Sequence, residues 1–210
     1  MRGDASRRTV LESAVDLASL EGLDQISIGR IADAACVSKS GVATLFGSKE
    51  RLQLAAVEAA RQRYLDAVVA PARERPRGLE RLVALFGHWL AYSRDRVFPG
   101  GCFFASASAD FDTKPGEVRD AIARAMQDWS DYLGAQLRAA AEAGEVDAAA
   151  GTPDGVEQFV FECTALLETA NSRSLLTGSD EPYACARRGL ASRLLAVGAD
   201  PRIVAPLADA

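Results

Sequence analysis

The sequence is poor in the residues that bind transition metals. Its 210 residues include one histidine, His88, and four cysteines that lie far apart and form no C-x-x-C pair: Cys36, Cys102, Cys163 and Cys185. Zinc sites draw on closely spaced cysteines and histidines. We therefore expect no metal and no other cofactor. Cys102 follows two glycines but has no basic neighbour in its segment, which favours a buried, unreactive thiol over a redox sensor.

Residues for acid-base or nucleophilic catalysis are equally scarce. With a single histidine, the one arrangement that suggests an enzyme on a helical bundle is Asp110 and Asp112 together with His88. The sequence therefore favours a protein that binds over one that catalyses, and an enzyme is kept only as an alternative.

Long apolar runs are absent as well. No window approaches eighteen apolar residues, and the N-terminal stretch MRGDASRRTVLESAV mixes charges into its first positions. A membrane-spanning helix needs about 20 apolar residues, and a secretion signal needs an apolar core of roughly 7–15. We expect a soluble, cytoplasmic protein that does not enter a membrane.

An excess of positive charge is missing, although phosphate contacts need lysine and arginine. The net charge is −5, but residues 1–65 hold nine Lys and Arg against eight Asp and Glu, while the rest of the chain holds fifteen against twenty-one. The acidity therefore lies in the C-terminal part. If the N-terminal part binds nucleic acid, the positions of a few cations and of helix N-termini must decide the affinity.

What the chain does contain predicts helices throughout. Apolar residues make up 49% of it, and no stretch alternates apolar and polar residues for long, so the predicted fold class is all-α. The length suits a small domain joined to a larger one. We predict an N-terminal domain of residues 1–64 and a C-terminal domain of residues 65–210.

Residues 26–52, ISIGRIADAACVSKSGVATLFGSKERL, predict two short amphipathic helices with a tight corner between them. Ser27 can cap the first helix, whose apolar residues recur at i, i+3, i+4 and i+7: Ile28, Ile31, Ala32 and Ala35. After the corner, Ser38 can cap a second helix from Lys39 to Phe46, and Ser48 a third. So tight a turn leaves the second helix exposed, as a helix that enters the major groove of DNA must be.

This run resembles the helix-turn-helix of the TetR family of transcriptional regulators, whose pattern is roughly I-A-x-x-A-G-V-S-x-x-x-x-Y-x-x-F-x-S-K-E. The residues that match it in order and spacing are Ile31, Ala32, Ala35, Val37, Ser38, Phe46, Ser48, Lys49 and Glu50. Cys36 stands instead of the turn glycine, where a left-handed backbone is expected. Ala43 replaces an aromatic residue that commonly reaches a DNA phosphate. The alternative is an ordinary helical hairpin inside a bundle.

The resemblance implies DNA contacts from the second helix and its surroundings. Lysine can reach guanine acceptors, hydroxyl groups suit several base edges, and glycine permits close approach. The residues expected at base edges are Lys39, Ser40, Gly41 and Thr44. Those expected at phosphates are Ser27, Ser38 and Lys49.

A connector helix from Lys49 to about Ala70 is predicted to leave the N-terminal domain and enter the C-terminal domain. After a helix from Gly78 to about Arg94, residues 97–112, VFPGGCFFASASADFD, are the least helical stretch, because Pro99-Gly100-Gly101 forces a turn. This stretch resembles the F-P-G-G-C-F-F segment of one TetR subgroup. A long helix is predicted from Lys114 to about Ala143.

Two further helices are predicted from Asp154 to Leu176 and from Glu181 to about Val197. The resemblance implies that these two form a four-helix interface with a second copy of the chain. Aromatic residues from several segments are candidates for an apolar ligand pocket. They are Trp89, Phe103, Phe104, Trp129 and Phe159.

Together these features predict a homodimeric, ligand-responsive regulator of transcription. In the mechanism that the resemblance implies, the dimer binds double-stranded operator DNA as a repressor, and a small molecule in the C-terminal domain releases it. The alternative is a DNA-binding regulator that has no ligand.

Overall fold

The computed structural model describes residues 2–208 and the side chains of residues 6–207, and all regular structure in that range is helical. The helices are α1 (Arg2–Glu21), α2 (Ile28–Ala34), α3 (Lys39–Phe46), α4 (Lys49–Tyr64), α5 (Ala70–Ala72), α6 (Leu79–Arg94), α7 (Phe103–Phe111), α8 (Glu117–Glu142), α9 (Pro153–Thr177), α10 (Glu181–Ala196) and α11 (Pro201–Ala208). A π-helical turn, Leu65–Val69, joins α4 to α5, and a 3-10 turn, Ala148–Gly151, precedes α9. The all-α fold class is confirmed.

The chain divides into two compact units, and neither is continuous in sequence. The N-terminal unit runs to Arg63 and also contains Phe98–Met126. The C-terminal unit contains Tyr64–Val97 and everything from Gln127 onward. The turn at residues 99–101, helix α7 and the first part of α8 therefore pack with the helix-turn-helix.

The apolar face of α1 is the centre of the N-terminal unit. Val10, Ala14 and Ala18 recur at helical spacing and are completely or almost completely buried. Helices α2 and α7 both contact α1, and Ile31 of α2 is buried as well. Because this burial is the main favourable contribution to folding, the orientation of α2 in the unit depends on its fit to α1.

The predicted turn at Pro99-Gly100-Gly101 is confirmed, and it lies against the last turn of α1. The Gly101 N–H donates to the Phe98 carbonyl at 2.9 Å, and the Gly100 N–H donates to Ser19 Oγ at 3.0 Å. A Cβ atom on Gly100 would overlap the carbonyl oxygen of Ser19. A side chain at residue 100 is therefore incompatible with this approach of two backbones.

The prediction that residues 97–112 are the least helical stretch is wrong for their second half, where α7 forms. Phe103, Ala107 and Phe111 recur every four residues and are buried, as is Phe104. The alternating Ala-Ser run between the aromatics suggested a loop. Alanine is nevertheless the strongest helix former. A helix of nine residues is only marginally stable alone, and burial of its aromatic face supplies the remaining stability.

Helix α6 supplies much of the core of the C-terminal unit and packs on α9, α10 and α11. The rings of Phe86 and Phe159 lie 6.4 Å apart at the contact of α6 with α9. Nearby, the buried Ser93 hydroxyl lies 2.9 Å from Asn171 Oδ1 and 2.9 Å from the Tyr183 hydroxyl. These hydrogen bonds satisfy polar groups that would otherwise destabilise the interior, and they tie α6 to α9 and α10.

The longest helices of the chain are too polar to be membrane spans. Helices α8 and α9 have 26 and 25 residues. Within residues 2–208, no helix combines the length and the apolar character that crossing a membrane requires.

Replacing Gly100 by alanine is expected to lower the free energy of unfolding by about 1–3 kcal/mol, because the methyl group forces the turn away from Ser19. Thermal unfolding followed by circular dichroism measures the change. Gly87 in α6 is the matched control: no described atom outside its own helix lies within 4 Å of a Cβ there. Gly87→Ala should therefore raise stability by about 0.5–1 kcal/mol. A Gly100→Ala variant as stable as the wild type would contradict the close approach.

Candidate nucleic-acid interface

Serine caps each of the three helices of the motif, as predicted. The hydroxyl oxygens accept hydrogen bonds from the backbone N–H three residues ahead: Ser27 from Arg30 at 3.2 Å, Ser38 from Gly41 at 3.0 Å, and Ser48 from Arg51 at 3.1 Å. The caps explain where α2, α3 and α4 begin. A capping hydroxyl accepts from the backbone and keeps its own hydrogen, which a phosphate oxygen can accept.

The corner between α2 and α3 is a Schellman motif with a cysteine at its left-handed position. Cys36 has φ 54°. Its N–H donates to the Asp33 carbonyl at 3.3 Å, and the Val37 N–H donates to the Ala32 carbonyl at 2.9 Å. These two bonds satisfy carbonyls at the end of α2. The left-handed backbone expected at residue 36 is therefore present without a glycine.

Helix α3 is buried on one face and exposed on the other. Val42 and Phe46 are 0% and 5% exposed, and the Arg7 guanidinium lies over the Phe46 ring, 4.5 Å from its centroid. The exposed positions of the helix are Lys39, Ser40, Ala43 and Thr44. A polar, exposed face on a short helix held by α1 is the geometry that major-groove binding requires.

The three side chains expected at base edges all have contacts within the protein. The Ser40 hydroxyl lies 3.2 Å from the Ser38 hydroxyl. The Thr44 hydroxyl donates to the Ser40 carbonyl at 2.8 Å. Thr44 can therefore interact with DNA only through its oxygen lone pairs, as an acceptor, and through its methyl group. Lys39 lies along α2, since a Cβ on Gly29 would be 3.0 Å from Lys39 Cε. The small residue at position 29 leaves room for the lysine stem.

Lys49, expected at a phosphate, is bound to the loop before α2. Its Nζ donates to the Asp24 carbonyl at 2.6 Å. The Asp24 carboxylate is paired with Lys114 at 2.8 Å, and the hydrogen bond from Lys114 holds the pKa of Asp24 below its usual value against a smaller opposing effect of burial. The sequence contained no signal for Lys114, because its proximity to the motif depends on where α7 ends.

The structure places the five aromatic candidates for a ligand pocket in different units. Phe103 and Phe104 belong to the N-terminal unit, where their rings are 5.3 Å apart. Trp89, Trp129 and Phe159 belong to the C-terminal unit. There, Tyr64 lies 5.4 Å from Trp129 and 5.3 Å from Tyr92, and Tyr92 lies 6.1 Å from Trp89. Tyr64 and Tyr92, for which the sequence contained no ligand-binding signal, therefore join the two tryptophans.

The groups that suggested an enzyme are also divided. Asp110 lies in the N-terminal unit and accepts the Asp24 N–H at 3.3 Å. His88 lies in the C-terminal unit, where burial, followed by the charge of Arg75, lowers its pKa. Asp110 therefore has a structural contact, and His88 has a basic neighbour that disfavours its protonation.

The four cysteines differ in accessibility. Cys102 and Cys163 are buried, whereas Cys36 and Cys185 are exposed. Burial raises the pKa of Cys163 to about 12, which leaves it an unreactive thiol at neutral pH. Among the side chains of residues 6–207, no three His, Cys, Asp or Glu residues lie together as metal ligands would.

Helices α9 and α10 form a second exposed surface, in the C-terminal unit. A groove of about 850 Å³ runs between them, and Phe161 and Leu176 of α9 are 69% and 84% exposed. Arg193 pairs with Glu162 at the groove. Large apolar side chains that are exposed beside a groove are typical of a surface that another protein covers.

An exposed second helix in a helix-turn-helix, followed by a larger helical unit, defines a DNA-binding regulator. The chain belongs to the TetR family. Residues 10–56 match the family model described as bacterial regulatory proteins, tetR family, and residues 78–190, more than half of the chain, match the model described as tetracyclin repressor-like, C-terminal domain. The predicted family is therefore confirmed, and it is a family of transcriptional regulators.

Several solved structures have the same fold. A transcriptional regulator from Cytophaga hutchinsonii aligns with a TM-score of 0.80 over 94% of this chain and 96% of its own, at 20% identity. One from Agrobacterium tumefaciens aligns with a TM-score of 0.78 over 91% and 98%, at 19% identity. AibR in complex with isovaleryl coenzyme A and operator DNA aligns with a TM-score of 0.65 over 80% and 86%, at 20% identity. No curated protein sequence matches significantly.

Replacing Cys36 by glycine is expected to raise the free energy of unfolding by about 0.5–1 kcal/mol. Glycine removes the steric strain of a left-handed residue, and the gain is partly offset by the greater freedom of glycine in the unfolded chain. Cys36→Ala is the matched control, because it removes the thiol but keeps the Cβ atom. Urea unfolding of the three proteins measures the differences. If Cys36→Ala stabilised the protein as much as Cys36→Gly, the thiol and not the backbone would be responsible.

Proposed function

We propose that this protein is a dimeric transcriptional repressor that reads its operator with the α3 helices of two subunits and leaves the DNA when a small molecule binds. The observation that carries the proposal is the exposed polar face of α3, Lys39 to Thr44, on a helix whose other face is buried. Two such helices about 34–36 Å apart enter successive major grooves on one side of a duplex.

Within α3, the contacts of the free protein refine the proposed roles at base edges. Lys39 would donate to guanine O6 or N7. Ser40, which lies 3.2 Å from the Ser38 hydroxyl, can donate or accept. Thr44 uses its hydrogen within the helix, so its methyl group would contact a thymine methyl. Gly41 adds no side chain between these residues and permits close approach.

The proposed phosphate contacts surround α3. Ser27 keeps a hydroxyl hydrogen after capping its helix, and Ser38 keeps one when Ser40 is the donor in the hydrogen bond between their hydroxyls. Lys49 lies at the first position of α4, and its side chain is 48% exposed. Because Ala43 replaces the aromatic residue found in relatives, these polar groups would carry a larger share of the affinity.

The α9–α10 surface supports a homodimer as the operator-binding form. Two copies that place Phe161 and Leu176 against each other would cover the exposed apolar area. Gly189 in α10 has Leu166 of α9 about 3.0 Å from where a Cβ would lie. Small residues on α10 thus let the pair of helices pack closely, as a four-helix interface requires.

The proposed effector is a small molecule bound in the C-terminal unit, near the aromatic residues Trp89, Trp129 and Phe159. AibR, a structural neighbour, was solved with an acyl coenzyme A and operator DNA together, which supports the idea of a ligand in this fold. A ligand that prefers a dimer with another spacing of the α3 helices lowers operator affinity by linkage. If a thermal-shift screen finds no stabilising small molecule, the alternative of a regulator without a ligand is favoured.

Selection of bound duplexes from a random pool is expected to recover an inverted repeat with half-sites centred about 10 base pairs apart. Lys39→Ala should lose preference at a guanine within each half-site, whereas Lys49→Ala should weaken all duplexes alike, because one contacts bases and the other phosphates. Recovery of sequences without symmetry, or identical preferences in the wild type and Lys39→Ala, would contradict the assignment.

Replacing Phe161 by glutamate is expected to convert the dimer to monomers and to abolish binding to the recovered operator, because the charge cannot be buried between two copies of α9. Light scattering coupled to size exclusion measures the mass. Leu20→Glu is the control: Leu20 is 61% exposed but lies on α1, so that variant should stay dimeric. A Phe161→Glu variant that remains dimeric would rule out this surface.

A further inference from the structure

Asp24 stands between two lysines that come from distant parts of the sequence. Lys114 Nζ lies 2.8 Å from Asp24 Oδ2, whereas Lys49 Nζ lies 3.8 Å from Asp24 Oδ1 and bonds to the Asp24 carbonyl oxygen at 2.6 Å. The carboxylate thus makes a hydrogen bond to Lys114, whereas its contact with Lys49 is a longer ion pair, beyond hydrogen-bond distance. The Asp24 carboxylate is therefore directed toward Lys114, which lies outside the helix-turn-helix motif.

The position of Lys114 is set by the end of α7. Asp110, in the last turn of that helix, accepts the Asp24 N–H at 3.3 Å, and Lys114 follows with its Nζ 5.5 Å from the centroid of the Phe111 ring. Lys114 lies in the region that the C-terminal family model covers, but it packs within the N-terminal unit. It is therefore a cation added to the helix-turn-helix from outside residues 1–65.

The Lys114–Asp24 pair contributes little to folding stability. The side chains of Lys114 and Asp24 are 47% and 33% exposed, and ion pairs at such exposed positions contribute only marginally. An effect of Lys114 on DNA binding can therefore be measured separately from an effect on folding stability. The position of each charge matters, because the N-terminal unit, residues 1–63 and 98–126, carries twelve Lys and Arg and twelve Asp and Glu. Affinity for phosphate therefore depends on which cations are left unneutralised near the DNA.

We propose that Lys114 is a positioning residue for DNA binding: by engaging the Asp24 carboxylate, it leaves the charge of Lys49 available to a phosphate. This role rests on the proposed function. Asp24, Lys49 and Lys114 by themselves carry one net positive charge, and the Asp110 and Asp112 carboxylates also act on Lys114. Without Lys114 the carboxylate turns to Lys49, and the net charge of the pair that remains is zero. Lys114 thus acts on DNA through Asp24 and makes no contact with a phosphate itself.

The test measures binding of the full-length protein to a mixed-sequence duplex of about 30 base pairs by fluorescence anisotropy, at several salt concentrations. In about 50 mM salt, Lys114→Gln should bind about fivefold more weakly than the wild type, and its slope of log affinity against log salt should be shallower by about one. Lys114→Arg, which can still pair with Asp24, should bind like the wild type.

Two further variants distinguish this role from a general charge effect or a direct contact. Arg124→Gln removes the same charge from the exposed surface of α8 in the same unit, and it should change the affinity less than twofold. Asp24→Asn combined with Lys114→Gln should restore the affinity and the salt slope, because Lys49 then has no carboxylate to neutralise it. A direct contact between Lys114 and a phosphate would not be restored in this way.

The outcomes are distinct from those that test the proposed function. Equal affinities of Lys114→Gln and Arg124→Gln would overturn the role of Lys114, and so would a double variant as weak as Lys114→Gln alone. A wild-type protein that binds no duplex at any salt concentration would overturn the proposed function and, with it, this role. Thermal unfolding of Lys114→Gln close to that of the wild type would confirm that folding is not the cause.

Discussion

The N-terminal unit depends on the contact between the backbone of Gly100 and the last turn of α1. No side chain fits between Gly100 and Ser19, so the turn at residues 99–101 packs directly on α1 and brings α7 with it. Arg63, the last residue of α4 in this unit, pairs at 2.6 Å with Asp16, which lies one turn before Ser19 in α1. The C-terminal half of α1 is thus contacted by the turn at residues 99–101 and by the end of α4.

This contact determines the electrostatics of the DNA-facing part of the proposed interface. Once α7 lies on α1, Asp110 and Lys114 reach Asp24, and the loop before α2 receives a cation that residues 1–65 do not contain. In a unit whose charges nearly balance, affinity for phosphate depends on which cations are already paired. Lys49 donates to the Asp24 carbonyl and lies 3.8 Å from the Asp24 carboxylate, whereas Lys114 makes a hydrogen bond to that carboxylate at 2.8 Å.

Local features of the helix-turn-helix could be predicted because each depends on neighbours in sequence. A serine caps the helix that begins directly after it, and the left-handed backbone of Cys36 follows from the Schellman geometry at the end of α2. Helix α7 was not predicted, because its Ala-Ser run has no strong pattern until Phe103, Ala107 and Phe111 are buried. The partition of the five aromatic candidates between two units was equally inaccessible, because sequence spacing does not specify which unit a segment joins.

The sequence by itself determined the all-helical class, the family, the positions of the serine caps and the polar residues of α3, because apolar periodicity, capping and a short motif act over a few residues. Only the tertiary structure decided that Phe98–Met126 packs with the N-terminal unit, that Gly100 is required by a backbone contact, and that Asp24 is shared by Lys49 and Lys114. These features join residues far apart in the chain, and their proximity exists only after the apolar faces of α1 and α7 have been buried together.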